Sequence, residues 1–319
     1  MMKQRTIPEI AAYLLRNDNY IMLTHRRPDG DTIGCAAALC GGLRALGKTA
    51  AILENPQFTA KFRPYLDGLT TDTVPEGAKL VVVDMATAGL LPYGSEDYVN
   101  RIDLRIDHHG RDMDFGDEGY VDWTAAACGE IILDLLEQMN APIDKRIAEA
   151  LYCAISTDTG CFRYSNVSAK TLRAAAKCKD YGADTFAVNQ VMFLTKRLSR
   201  LKLDAYLTQT TEFYAGGKVA ISRIPAAIIA EYGITEDDID DISGFGREIE
   251  GVKIGVMLRE VCDGGKISVR TAPDYDAAAI CALLGGGGHR AAAGATVPGG
   301  IAAAKAAVLR ALEANGVEL

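Results

Sequence analysis

Apolar and polar positions divide the first half of the chain into short apolar runs separated by longer amphipathic stretches. The opening MMKQRTIPEIAAYLLRNDNY spaces its apolar residues along one face of a helix. YIMLTH (20–25) is an apolar run of strand length, and DTIGCAAALCGGLRALG (31–47) follows as a helix that stops at Gly47. TAAILE (49–54), AKLVVVDMA (78–86) and RIDLRIDHH (101–109) read as further strands, the second of them strongly β-branched. Strands alternating with helices predict an α/β fold, a mostly parallel sheet flanked by helices.

From residue 124 the spacing turns helical. TAAACGEIILDLLEQMN (124–140), DKRIAEALYCAIST (144–157) and SAKTLRAAAKCKDYGAD (168–184) each read as a helix, and 185–210 as a helical connector. The pattern then changes again. Residues 211–225 predict a hairpin around Gly216-Gly217, and residues 252–272 a second around Asp263-Gly264-Gly265. A helix over DAAAICALL, the segment GGGGHRAAAGATVPGG and an alanine-rich helix close the chain. The expected organisation is a catalytic domain over 1–190, a connector over 191–210, and a smaller mixed α+β domain over 211–319.

Composition narrows the function classes. Apolar residues make up 49% and charged residues 24%, as in ordinary globular proteins. No apolar run approaches the length of a membrane span, and no apolar core precedes a small-residue cleavage site. The expected location is the cytoplasm. None of the eight cysteines forms a CxxC pair, which argues against a zinc ribbon or a disulfide framework. The net charge of −8 argues against binding long duplex nucleic acid. Small phosphorylated substrates held by a few local cations remain open.

The chain has four histidines, and each sits beside acids or glycines after an expected strand or helix. His25, Asp29 and Asp31 follow the first buried strand; a polar turn with an aspartate capping the next helix would need the same residues. Asp84 ends the β-branched strand. Asp107, His108 and His109 end the next one, where diverging side chains let one imidazole meet a metal and the other a substrate. Asp158 lies at a helix C-terminus, where the helix dipole disfavours an anion unless a cation is near. Ligands of open α/β sheets bind at the carboxyl ends of the strands, where these residues would gather. Imidazole with hard carboxylate oxygens suits Mn²⁺, Mg²⁺ or Fe²⁺. Two such ions roughly 3.5–4 Å apart activate water for in-line displacement at phosphorus. A shared carboxylate must hold the pair, and Asp84 is the candidate.

Later in the chain, Gly285 to Gly288 read either as a flexible linker or as backbone that lets an anion approach. His289 and Arg290 follow with side-chain donors. Ser268 and Arg270 alternate onto one face of a strand, either as a plain exposed face or as phosphate contacts. Arg163 is equally a surface charge or a phosphate contact.

HRRPDGD, VVVDMA, RIDHHG, STDTGCFRYSN and GGGGHRAAAGA, in this order, resemble the DHH phosphoesterase superfamily with a C-terminal DHHA1 domain. The likeness is greatest to the nanoRNase type, which cleaves short oligoribonucleotides and removes the 3′-phosphate of pAp. It implies two divalent ions, Mn²⁺ first and Mg²⁺ or Fe²⁺ as alternatives. One would take His25, Asp29 and Asp84; the other Asp31, Asp84, His108 and Asp158. Asp107 would orient an imidazole and His109 would contact the scissile phosphate. Gly286, Gly287, Gly288, His289 and Arg290, with Ser268 and Arg270, would hold the nucleotide. Short RNA or small nucleotides are the expected partners, with a homodimer admitted. Cleavage of cyclic di-AMP and catalytically silent nucleotide binding are the alternatives. Cys128 stands where related sequences often carry Ser or Thr, and is expected to touch none of the ligands.

Overall fold

The computed structural model describes residues 2–109, 115–239, 241–262 and 264–319. Gly110 of the RIDHHG motif and Asp263 of the second expected hairpin lie outside the described residues. Contacts divide the chain into two compact units, 1–195 and 196–319.

The first unit holds a sheet of seven strands: β1 (Lys3–Gln4), β2 (Tyr20–Leu23), β3 (Ala50–Leu53), β4 (Thr70–Thr71), β5 (Lys79–Val83), β6 (Ile102–Asp107) and β7 (Glu118–Val121). They lie in the order β1-β7-β6-β5-β2-β3-β4, and every described pairing is parallel. The chain runs outward from β2 to β4 on one side and from β5 to β7 on the other. The direction reverses between β2 and β5, which makes the carboxyl ends of these strands the natural crevice of the sheet.

Seven α-helices accompany this sheet among the described residues: α1 (Ile7–Arg16), α2 (Gly30–Ala45), α3 (Arg63–Leu66), α4 (Cys128–Gln138), α5 (Lys145–Asp158), α6 (Ala169–Asp180) and α7 (Thr185–Asn189). The expected N-terminal helix is shorter than its pattern because residues 3–4 pair with β7. The expected helix over 124–140 begins only at Cys128, and the alanines before it stay in the loop. Tyr20, Met22, Val81, Val83, Leu104 and Ile106 face one core with α1, α2, α4 and α5. Ile21, Leu23, Leu80 and Val82 face the other side, where Met85, Leu91 and Phe115 close over them, with no long helix among the described residues.

Helix α2 is buried around nearly its whole circumference. A Cβ on Gly34 would overlap the carbonyl oxygen of Ala150, and one on Gly30 would overlap the side chain of Thr157. Gly34 therefore lets α5 cross α2 at backbone contact, and Gly30 makes room for the Thr157 side chain. That crossing brings the C-terminus of α5 beside the N-terminus of α2.

The second unit contains α8 (Leu198–Thr210), β8 (Glu212–Tyr214), β9 (Val219–Ile224), α9 (Ala226–Tyr232), β10 (Ile254–Val261), β11 (Gly264–Thr271), α10 (Ala277–Ala282), β12 (Gly287–Gly288), β13 (Ala292–Val297) and α11 (Gly300–Ala314). Its mixed sheet runs β12-β13-β11-β10-β9-β8, with β9 and β10 parallel and the other pairs antiparallel. No described helix is long and apolar enough to cross a membrane.

Candidate metal centre

The reversal point of the first sheet carries the chemistry. His25 follows β2, Asp84 follows β5, and Asp107, His108 and His109 close β6. Asp29 is the N-cap of α2, its Oδ1 accepting from the N–H groups of Asp31 and Thr32 at 3.1 Å each. The capping role and a place in the cluster coexist in one residue. Asp31 lies in the first turn of α2, and Asp158 is the last residue of α5. Asp84 holds φ at 52°, a left-handed backbone that aspartate tolerates better than most residues and that often marks functional sites.

These side chains converge. His108 Nε2 lies 3.4 Å from Asp84 Oδ1, 3.4 Å from Asp158 Oδ2 and 3.8 Å from Asp31 Oδ2. His25 Nε2 lies 3.8 Å from Asp29 Oδ1 and 4.0 Å from Asp84 Oδ2. Two neighbouring sets could each hold an ion: His25, Asp29 and Asp84, and Asp31, His108 and Asp158. In a third set, Asp84 joins His108 and His109, so Asp84 stands between the first two. The two adjacent imidazoles do not diverge as expected: their rings pack edge to face with centroids 4.4 Å apart, and both approach Asp84 Oδ1. Both follow the same strand end, and the carboxylate of Asp84 draws them to one side.

The donor set fits a cation on two further grounds. Asp84 Oδ1 is buried and makes no hydrogen bond, a costly state for a carboxylate oxygen unless a cation meets it. The ring nitrogens away from the centre are engaged: His25 Nδ1 meets the Arg26 carbonyl at 2.8 Å, and His108 Nδ1 meets the Ala125 carbonyl at 3.2 Å. A carbonyl only accepts, so Nδ1 carries the proton and Nε2 is left to face the centre.

Protonation follows from the crowding. Burial raises the Asp31 carboxyl far above its ordinary value, with the charges of Asp84 and Asp158 adding to it. Burial likewise lifts Asp158 to about 7, against the pull of His108. Burial opposes charging of His108, but its contact with Asp84 and the charges of Asp31, Asp84 and Asp158 outweigh this and push it up to about 12. Burial also works to raise Asp84; the three histidines overcome it and hold that carboxylate below its ordinary range. Without a cation, protons on Asp31 and His108 relieve the crowding while Asp84 stays ionised.

Several supporting residues give no sign in the sequence. Thr32 Oγ1 donates to Asp84 Oδ2 at 2.7 Å in a buried bond. Cys35, one helical turn after Asp31, donates from Sγ to Asp31 Oδ1 at 3.2 Å. The backbone N–H groups of Cys128 and Gly129, at the N-terminus of α4, donate to Asp31 at 2.6 and 2.9 Å. The expectation that Cys128 touches no ligand is therefore corrected: it holds Asp31 through its main chain, so Cys, Ser or Thr could each serve. Asn166 Nδ2 donates to the carbonyls of Ala126 and Asp158, tying their loops together. Arg163 is exposed, and its Nε donates to the Gly160 carbonyl at 2.6 Å.

In the second unit, Ser268 on β11 pairs with Gly294 on β13, which pairs with Gly287 on β12. Directly paired residues share a face, so Ser268, Arg270 and Gly287 line one face of this sheet. Gly287, Gly288, His289 and Arg290 are exposed and Gly286 is half-buried. The Arg290 carbonyl accepts from Thr271 Oγ1 at 2.8 Å, and the His289 N–H donates to the Ala292 carbonyl at 2.8 Å. The segment after Gly285 is thus a built turn onto β13 rather than a linker.

A parallel sheet with aspartates and histidines gathered at its reversal point, followed by a separate mixed-sheet unit, defines a metal-dependent phosphoesterase of the DHH class. Residues 19–155 match the DHH family N-terminal domain and residues 216–315 match the DHHA1 domain; the chain belongs to this family. It is 35% identical to the bifunctional oligoribonuclease and PAP phosphatase of Thermus thermophilus, over 86% of this chain and 83% of the relative. It is 27% identical to the enzyme of the same name from Bacillus subtilis, over 85% of each chain. An exopolyphosphatase-related protein from Bacteroides fragilis shares the fold, with a TM-score of 0.88, 21% identity and coverage of 97% of this chain and 96% of the other.

Proposed function

We propose that this enzyme hydrolyses short oligoribonucleotides, such as pApA, to mononucleotides, and pAp to AMP, using two divalent ions, Mn²⁺ foremost, in the cytoplasm. The carrying observation is Asp84, whose carboxylate stands between two donor sets with one oxygen buried and unbonded. His25, Asp29 and Asp84 would hold one ion, and Asp31, Asp84, His108 and Asp158 the other. The names of the relatives from Thermus thermophilus and Bacillus subtilis support the substrate class. When bound, such ions supply an activated water and charge stabilisation for displacement at phosphorus. The chain's own residues do the rest. Asp107 accepts from His109 Nδ1 at 2.8 Å, which turns His109 Nε2 away from Asp107 for the scissile phosphate. Ser268, Arg270, the backbone of Gly286 to Gly288, His289 and Arg290 would grip the nucleotide in the unit of residues 211–319, while residues 1–190 hold the reacting centre.

The test is product release with Mn²⁺ from pAp, pApA, a short RNA, cyclic di-AMP and pyrophosphate. AMP from pAp and pApA, with pyrophosphate untouched, is the expected result. Turnover of pyrophosphate alone would remove the proposed substrate class, and nucleotide binding without any turnover would leave a silent binder.

A further inference from the structure

Arg105 is fully buried in β6, where its neighbours Leu104 and Ile106 fill the core on the opposite face. A buried arginine is rare because the cost of desolvating its charge must be met by partners. Residues 105 and 107 of one strand share a face, and Arg105 Nη2 donates to Asp107 Oδ2 at 2.5 Å. The same nitrogen donates to the Ala86 carbonyl at 3.2 Å, and the guanidinium lies 4.4 Å from the centroid of the Phe115 ring. One oxygen of Asp107 is thereby claimed. The other, Oδ1, accepts from the N–H groups of His108 and His109 at 2.8 and 3.2 Å, and meets His109 Nδ1 at 2.8 Å.

We infer that Arg105 is a positioning residue: it fixes the Asp107 carboxylate, and through it the tautomer and direction of the His109 imidazole. A carboxylate only accepts, so its contact requires the proton on His109 Nδ1 and leaves Nε2 for substrate. Without the guanidinium, Oδ2 loses its side-chain partner and the carboxylate is held only through Oδ1, by two main-chain N–H groups and the imidazole itself, so it can tilt about that oxygen and loosen the bond to His109. His109 is the most open of the clustered histidines, its side chain 36% exposed against 12% for His108 and 15% for His25. The His108 ring and Asp84 Oδ1, 3.6 Å from Nδ1, also border this ring, but the Asp107 contact at 2.8 Å is its one side-chain hydrogen bond among the described residues and the one that selects its tautomer. The role in turnover rests on the phosphoesterase reading above.

The experiment compares wild type, R105M, R105K, D107N and R105M/D107N. In folded R105M, kcat for pApA is expected to fall about 10–100-fold, with KM and bound Mn²⁺ per chain held within about twofold. R105K, which keeps a cation, is expected to lie between R105M and wild type and carries the result should R105M not fold. The double variant is expected to be no slower than D107N, because the arginine acts through that carboxylate. Imidazole ¹⁵N spectra supply a readout free of turnover: with four histidines, His109 is assignable, and its single Nδ1–H tautomer is expected to become a mixture in the arginine variants. Wild-type kcat in the folded arginine variants, loss of metal in step with activity, multiplying effects in the double variant, or an unchanged His109 spectrum would each overturn the inference. Absence of pApA turnover in wild type would count against the functional reading alone, since the spectra would still decide the positioning role.

Discussion

Asp84 concentrates the demands of the site. It takes a left-handed backbone, keeps one buried oxygen without a hydrogen bond, and presents the other to Thr32 Oγ1 at 2.7 Å. Asp84→Ala is expected to abolish Mn²⁺-dependent hydrolysis and lower the metal bound per folded chain, as read by elemental analysis. Full turnover with full metal would refute its bridging role. Thr32→Val removes only the supporting bond, and Mn²⁺ affinity measured by calorimetry is expected to weaken about 10–100-fold. The pH dependence has a definite sign. Asp158, lifted to about 7, and Asp31, raised well above its ordinary value by burial, hold protons that a cation must displace, as does His108 at about 12. Binding therefore releases protons, and affinity rises with pH. Titrations at about pH 6 and pH 8 are expected to differ by about tenfold or more, tighter at the higher pH. A flat profile would mean that the cluster does not bind as carboxylates and neutral imidazoles.

At the scale of elements, two devices position the chemistry. The first is the crossing of α2 and α5 at Gly30 and Gly34. It brings Asp158, the last residue of α5, to the cluster that Asp31 enters from the first turn of α2. A bulkier residue at either glycine would push the helices apart and withdraw one of the two carboxylates. The second device is the glycine turn. A Cβ on Gly286 would overlap the Gly294 carbonyl oxygen and one on Gly288 would lie 2.6 Å from that of Ala292, whereas one on Gly287 would meet nothing within 4 Å. The fold thus requires glycine at 286 and 288, and the open side of Gly287 is where a ligand can approach. Gly286→Ala is expected to destabilise the protein by more than about 1 kcal/mol in denaturant unfolding. Gly287→Ala is expected to leave stability within about 0.5 kcal/mol and to raise KM for pApA. An unchanged KM would remove Gly287 from the nucleotide contacts.

For the whole molecule, metal and stability should be linked in one unit only. The clustered donors all lie within residues 1–195. A ligand that binds only the folded form stabilises it by about 2.7 kcal/mol at a hundredfold excess over Kd. Calorimetric scans with Mn²⁺ and with EDTA are expected to differ in the transition of the first unit, with that of the second unmoved. Equal shifts in both, or none, would mean that the ion is not held by this cluster alone.

The sequence by itself determined the four strands β2, β3, β5 and β6 at the middle of the parallel sheet and the residue types of the centre, because apolar periodicity and the loops after strands are local properties. His25, Asp84 and the Asp107-His108-His109 run are legible on that ground. β7 (EGYV) and β13 (AAGATV) are not, since glycine and alanine give a strand little apolar pattern of its own and leave its form to its neighbours. Tertiary structure alone decided which donors meet. Thr32 reaches Asp84, the α4 N–H groups reach Asp31, and α5 carries Asp158 to His108. Helices pack where small residues permit, across distances in sequence that no local pattern records.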